Sequence, residues 1–366
     1  MPPAARLCRA LLIAAVGLAV LGRPPQPAAA SAPPAGPVPL GATTVDAPPG
    51  CTVTTTHYQD PTPVAIIDNT TFTRTLTVNG FTHNVWKVTA HTAISHTFPS
   101  DLEIYLNSPY PFDVPGVLTT RNGGTADNVF AHTTWDDDRT LGVTEVVFAN
   151  GVNQPYLIPE GALGNYRFHD PNGAWQLVVR DVITSDVGTL NGWDLYVTTL
   201  NETLISASSF LHNTTDTAIA SPGTTQSSIV VSGAGHYLTN VTAQTVISHS
   251  ASGDLTLILT APNGLTTTLT QENGGYLDNL YNGTDWTDAP IPPGGPVTDA
   301  SYVNNVALFQ VQPEGALGRF VGVDPNGTWT LTIKDANLLN TGVLKDWSLA
   351  LYTGYCAPIY VPFTVR

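Results

Sequence analysis

The sequence predicts an all-β chain of two tandem antiparallel domains, each a β-sandwich or jelly roll, and three observations carry that prediction. The segment Asp324-Pro-Asn-Gly-Thr-Trp-Thr-Leu-Thr-Ile-Lys-Asp335 repeats, with few changes, Asp170-Pro-Asn-Gly-Ala-Trp-Gln-Leu-Val-Val-Arg-Asp181. Apolar and polar residues alternate with period two in both copies, as in Leu102-Glu-Ile-Tyr-Leu106 and Leu255-Thr-Leu-Ile-Leu259, which is how a strand with two unlike faces reads. Thr and Val abound while charged residues make up 11% of the chain, a composition that favours pleated, half-buried surfaces over helices.

The duplication sets the domain boundaries. Ser95-His96 returns as Ser248-His249, Asp101-Leu102 as Asp254-Leu255, and Gly123-Gly124 with Asp127-Asn128 as Gly274-Gly275 with Asp278-Asn279. Pro159-Glu-Gly-Ala-Leu-Gly164 returns as Pro313-Glu-Gly-Ala-Leu-Gly318. Small insertions between fixed blocks are what surface loops tolerate. Residues 59–200 and 201–354 are thus expected to be two domains, each long enough for its own core and each reading as strands separated by turns. Asp170-Pro-Asn-Gly173 and Asp324-Pro-Asn-Gly327 are turn sequences, Pro presetting a corner and Gly free to take positive φ. The link around Asn201 to Asp216 is short and polar, so the two units are expected to lie close together.

Residues 1–30 read as a secretory signal, with Arg6 and Arg9 ahead of an apolar run from Leu11 to Leu21 and Ala28-Ala29-Ala30 as a cleavage site. That run is too short to span a membrane. A Pro/Ala-rich linker, 31–58, and an apolar tail, 355–366, flank the repeats. Cleavage would remove Arg6, Arg9 and Arg23 and no acid, leaving 10 basic against 28 acidic residues and a net charge of −18. So acidic a surface argues against nucleic acid or an anionic membrane as a partner and suits a cation-binding or simply soluble extracellular protein, and the signal points to secretion or the cell surface. Cys8 leaves with the signal; Cys51 and Cys356, just outside the two repeats, are either a disulfide that ties the ends together or two free thiols.

Four blocks recur in the same order in both copies. They are Asp-Leu-x-apolar-x-Leu-x-x-Pro (Asp101 to Pro109, Asp254 to Pro262), Gly-Gly-x-x-Asp-Asn (Gly123 to Asn128, Gly274 to Asn279), Asn-Gly-x-Trp-x-Leu-x-apolar-x-Asp (Asn172 to Asp181, Asn326 to Asp335) and Gly-x-Leu-x-x-Trp-x-Leu (Gly188 to Leu195, Gly342 to Leu349). In these blocks the chain resembles the P domain, or P/Homo B domain, which accompanies the catalytic domain of kexin- and furin-like proprotein convertases and of bacterial secreted subtilisin-like proteases. The resemblance covers roughly residues 60 to 200 and 201 to 354, and it implies an eight-stranded jelly-roll-like sandwich per copy. Ser100 stands where the second copy keeps Gly253, and Glu272 where the first keeps Arg121.

No segment matches the nucleophile, base or acid blocks of a subtilisin-like protease, so no catalytic residue is assigned. His83, His91 and His96 fit no compact zinc spacing; His96 and its counterpart His249 read as rings bonded to a neighbouring loop or carboxylate. The acidic, Gly-rich loops offer hard oxygen ligands for calcium, with Asp101, Asp127, Asn128, Asp136, Asp137 and Asp138 as candidates in copy one and Asp254, Asp278 and Asn279 in copy two, beside Asp285 and Asp288. The competing role for these residues is capping turns. Trp175, Trp193, Trp329 and Trp347 read as core, whereas Trp86, Trp135 and Trp286 are candidates either for anchoring loops or for contacting a protein or glycan.

Three functions compete. The first is a secreted, non-catalytic pair of P modules acting in adhesion, scaffolding or as an accessory to an extracellular protease. The second is the serine endopeptidase activity that the resemblance implies for whole proteases; the third is glycan binding.

Overall fold

The structure, a computed structural model, describes residues 46–111, 114–292 and 294–357. The expected signal segment, most of the linker and the end of the tail lie outside the described residues. Apart from short 3-10 turns, every regular element is a strand.

The first module runs β1 (Val53–Asp60), β2 (Val64–Ile66), β3 (Thr71–Val78), β4 (Val85–His96), β5 (Leu102–Asn107), β6 (Gly116–Thr120), β7 (Thr133–Trp135), β8 (Tyr156–Leu157), β9 (Gly173–Asp181) and β10 (Gly188–Leu200). One sheet has the order β1-β10-β4-β7-β8, with β2 also on β10, and the other has the order β3-β9-β5-β6. The second module repeats the plan with β11 (Leu204–Asn213), β12 (Thr217–Ile219), β13 (Gly223–Val231), β14 (Leu238–His249), β15 (Leu255–Thr260), β16 (Thr266–Gln271), β17 (Asn282–Trp286), β18 (Gln310–Val311), β19 (Gly327–Asp335) and β20 (Gly342–Cys356). Its sheets are β11-β20-β14-β17-β18, with β12 on β20, and β13-β19-β15-β16. All pairings are antiparallel except β7 with β8 and β17 with β18. Each module therefore has ten strands rather than the eight implied by resemblance, the shortest spanning two residues.

Alternation along the strands delivers the two cores. In β9, Trp175, Leu177 and Val179 point inward against Leu102, Ile104 and Leu106 of β5, and all six are buried. Burying each such side chain is worth about 1.5–3 kcal/mol. Module two matches it with Trp329, Leu331 and Ile333 against Leu255, Leu257 and Leu259. Trp135 and Trp286 are fully buried core residues, their indole N–H groups donating to Thr92 and Thr245 at 2.9 and 3.0 Å. Neither can face a glycan.

Three boundaries move. β1 starts at Val53, inside the expected linker 31–58, because an edge strand of Thr and Val pairs its whole backbone with β10 while showing little apolar alternation. β20 runs to Cys356, two residues into the expected tail. The link between the modules shrinks to residues 201–203, since most of Asn201 to Asp216 is β11.

The repeated turn explains its own sequence. Asn172 accepts from the Phe81 N–H at 3.0 Å and donates to the Phe81 carbonyl at 2.9 Å, and Asn326 does the same to Ala234. Gly173 has φ 134°, and a Cβ there would sit 2.5 Å from Pro109 Cβ, so the turn of one block closes on the Pro of another. Replacing Asn172 or Asn326 by Ala leaves two backbone groups unpaired and is expected to cost about 1–3 kcal/mol, read as a lower urea midpoint. An unchanged midpoint would show these turns to be passive.

Candidate functional site

The predicted site residues fall into two kinds of place, a knot that occurs once in each module and the joint between the modules. The first is a knot around the buried ring of His96, at the end of β4. Its Nε2 donates to Asp181 at 3.2 Å, its Nδ1 accepts from the Phe98 N–H at 3.1 Å, and its own backbone N–H is held by Asn128 Oδ1 at 3.0 Å. A Cβ on Gly188 would collide with this ring. Copy two repeats each feature with His249, Asp335, Asn279 and Gly342. One residue from each of three blocks thus serves a single structural purpose, and Asn128 and Asn279 act as backbone anchors. Asp127 and Asp278 are held alongside, their N–H groups bonded to Asn150 and Asn304 at 2.7 Å.

Asp101 lies beside this knot and differs between the copies. It is buried, its Oδ2 has no hydrogen-bond partner among the described residues, and burial, with the charges of Asp181 and Asp186, raises its pKa. Its counterpart Asp254 is closed off by amides, accepting from Asn337 at 3.1 Å and from Asn340 at 2.6 Å.

The second place is the joint between the modules. Asp136 pairs with Lys87 at 2.7 Å and with Arg139 at 3.1 Å, and Asp138 also pairs with Lys87. Burial works against the Lys87 charge, but Asp138 and Asp136 outweigh it and hold its pKa up. Asp137 caps the 3-10 turn Leu163–Tyr166, accepting from the Leu163 and Gly164 N–H groups at 2.9 and 2.7 Å. Asp288 caps Leu317–Phe320 identically, at 2.8 and 2.6 Å. The two carboxylates meet across the joint: a Cβ on Gly164 would lie 2.9 Å from Asp288 Oδ2 and 3.4 Å from Asp137 Oδ2. Around them Arg167 donates to the Thr239 carbonyl at 2.9 Å, Gln312 to the Ala162 carbonyl at 3.3 Å, and Thr298 to Glu160 at 2.8 Å. Trp86, Leu200 and Tyr237 bury one flank together. Cys51 and Cys356 are joined by a disulfide beside that cluster.

The nine residues expected to bind calcium therefore do not converge. Asp101 and the Asn128 and Asn279 anchors belong to the knots, while Asp136, Asp137 and Asp138 are spent on the joint. Among the described residues no group of three or more His, Cys, Asp or Glu side chains is placed to hold a metal ion. Sequence spacing could not show this, since Asp137 meets Asp288 only after both sandwiches have formed. Within this set, Asp101 carries a buried carboxylate oxygen with no hydrogen-bond partner among the described residues.

Comparison with known proteins finds slight structural likenesses and a family match. Two crystal structures of the Aeromonas sobria serine protease, one with its chaperone, match at 16% and 15% identity with TM-scores of 0.27 and 0.26, covering 41% of this chain and 27% of those chains. A triple jelly roll protein of an archaeal virus matches at 9% identity and a TM-score of 0.19, covering 81% of this chain and 60% of that one. These likenesses are too slight to carry an argument about function, and no curated protein matches the chain. The proprotein convertase P-domain profile, by contrast, matches residues 85–197 and again 238–351, more than half of the chain and one match per sandwich. The chain belongs to the proprotein convertase P-domain family, as two tandem copies of that domain.

Proposed function

We propose that this is a secreted, non-catalytic protein whose two P modules, locked into one body, act as an accessory or scaffold for an extracellular protease. The observation that supports it is the joint. Two modules that share buried carboxylates, a Trp cluster and a disulfide form one joined body, and a preorganised body loses less freedom on holding a partner. The histidines of the knots are buried with both ring nitrogens occupied, one against Asp181 or Asp335 and the other against the backbone of Phe98 or Ala251, so neither is available as a general base. The test is to purify the protein from culture medium and treat the eluate with a fluorophosphonate probe. Label on a co-purifying chain is expected. Label on this chain, removed by one Ser→Ala change, would make it the enzyme, and no label at all would sink the protease association.

Copy one is further proposed to take a calcium ion at Asp101 and Asp186, where copy two has Asp254 bonded by Asn340. Hard carboxylate oxygens suit that ion. Millimolar Ca²⁺ is then expected to raise the melting temperature relative to chelator, and Asp186→Asn, which copies the Asn340 arrangement, is expected to abolish the rise. Equal melting in both conditions rules the site out.

A further inference from the structure

On the outer face of the first module, three strands bring together side chains that lie far apart in sequence. Asp194 of β10 sits between His57 of β1 and His91 of β4. Its Oδ1 bonds His57 Nε2 at 2.7 Å and its Oδ2 bonds His91 Nδ1 at 3.0 Å. Burial works against the Asp194 charge, but the bonds from His91 and His57 outweigh it and hold the carboxyl below its ordinary range. A carboxylate only accepts hydrogen bonds, so His91 carries a proton on Nδ1, and in the neutral ring Nε2 is then the nitrogen with a free lone pair. The ring of His132, one residue before β7, lies 5.9 Å from that of His91 at an interplanar angle of 16°. No hydrogen bond from the described residues occupies the His132 ring, and both rings are partly exposed to solvent.

We propose that His91 and His132 form a binding site for a divalent transition-metal cation, with Asp194 as the positioning carboxylate behind His91. Neutral imidazole is a preferred ligand of Zn²⁺, Ni²⁺ and Cu²⁺ and a poor one for Ca²⁺. A ligating His typically gives its other ring N–H to a carboxylate, which fixes the tautomer and raises the basicity of the free nitrogen. The His91 to Asp194 bond supplies that arrangement. Two protein nitrogens leave the rest of the coordination shell to water, one protein ligand fewer than a catalytic zinc site holds.

The second module shows that the sheet does not need this cluster. By strand register Gln244 stands in place of His91, opposite Ser348 in place of Asp194, and Phe210 stands in place of His57. Gln244 donates instead to Asp285 at 2.7 Å. Both modules keep the same strand order, so the His and Asp residues of copy one are an addition to the fold rather than a condition of it.

The test is calorimetric titration of the untagged protein with ZnCl2 and, separately, NiCl2 in a non-coordinating buffer at neutral pH. One equivalent is expected to bind. His132→Gln and His91→Gln, the latter reproducing copy two, are each expected to remove that equivalent while leaving the melting temperature within a few degrees of the parent. Asp194→Asn is expected to weaken binding about 10–100-fold. His212→Gln and His236→Gln, at exposed rings elsewhere, are expected to change nothing. Retention of the equivalent in His132→Gln, or no uptake by the parent protein, overturns the proposal.

Discussion

Replacing Cys51 and Cys356 together by Ser is expected to lower the free energy of unfolding by about 3–5 kcal/mol, among the larger effects a disulfide shows. The bond closes a loop across 305 positions of sequence. In the chain-entropy account the denatured ensemble then loses on the order of 5–6 kcal/mol of freedom, of which measured proteins usually recover less. Its position gives the loss a particular form. Cys51 lies just ahead of the first strand of module one and Cys356 ends the last strand of module two, where its N–H also bonds the Pro49 carbonyl at 2.9 Å. The bridge thus holds both ends of the chain against the Trp86 and Tyr237 cluster. Without it, the joint rests on the residue 201–203 link and its own packing. Scanning calorimetry should show the midpoint fall and, if the joint loosens before either core melts, a single transition broaden or split. A midpoint unchanged by the double substitution would mean that the joint alone sets the stability.

The fold was legible because strand periodicity and the duplication are both local or self-referential signals. Trp175 and Trp329 announced a core face, and the Asp-Pro-Asn-Gly turn announced a corner. β1 was not legible, because Thr54, Thr55 and Thr56 show no apolar alternation and earn their place by backbone pairing with β10. The site was legible only in its residue types. Asp136, Asp137 and Asp138 were visible as an acidic run, but Lys87, 49 to 51 positions away by sequence (136 − 87 and 138 − 87), and Asp288 in the other module give those carboxylates their roles. Likewise His91 has His83 and His96 as its neighbours in sequence, whereas its partners in the fold are Asp194 and His132. Strand register, not spacing along the chain, decides which polar side chains share a sheet face.

The joint should also be sensitive to pH, and in the opposite sense to an ordinary ion pair. Burial, reinforced by the Asp288 charge, pushes the Asp137 carboxyl up to about 7, against the pull of its two backbone N–H bonds. Burial likewise raises Asp288, although its backbone bonds and Arg167 favour the charged form. With two carboxylates around one point, the pair titrates as a unit and keeps one proton between them near neutrality. The unfolded chain releases that proton near the ordinary value of 3.8, the folded chain only near 7. Over that window the folded state binds more protons, so the pair's contribution to stability is full below 3.8, falls as pH rises, and is gone above 7. A shift of that size corresponds to on the order of 4 kcal/mol. Glu160, raised by burial and by the charge of Asp299, adds to the same trend. Asp194, held low, acts on the acid side, where its contribution disappears as pH falls below 3.8. Melting temperature is therefore expected to peak on the acid side of neutrality and to drop between pH 5 and 8. In Asp288→Asn the drop should flatten, because one member of the pair can no longer ionise, and above pH 7 the variant should match or exceed the parent despite losing a backbone bond at Leu317 or Gly318. If Asp288→Asn and Asp137→Asn both keep the parent's slope between pH 5 and 8, the shared proton is not what couples the joint to pH.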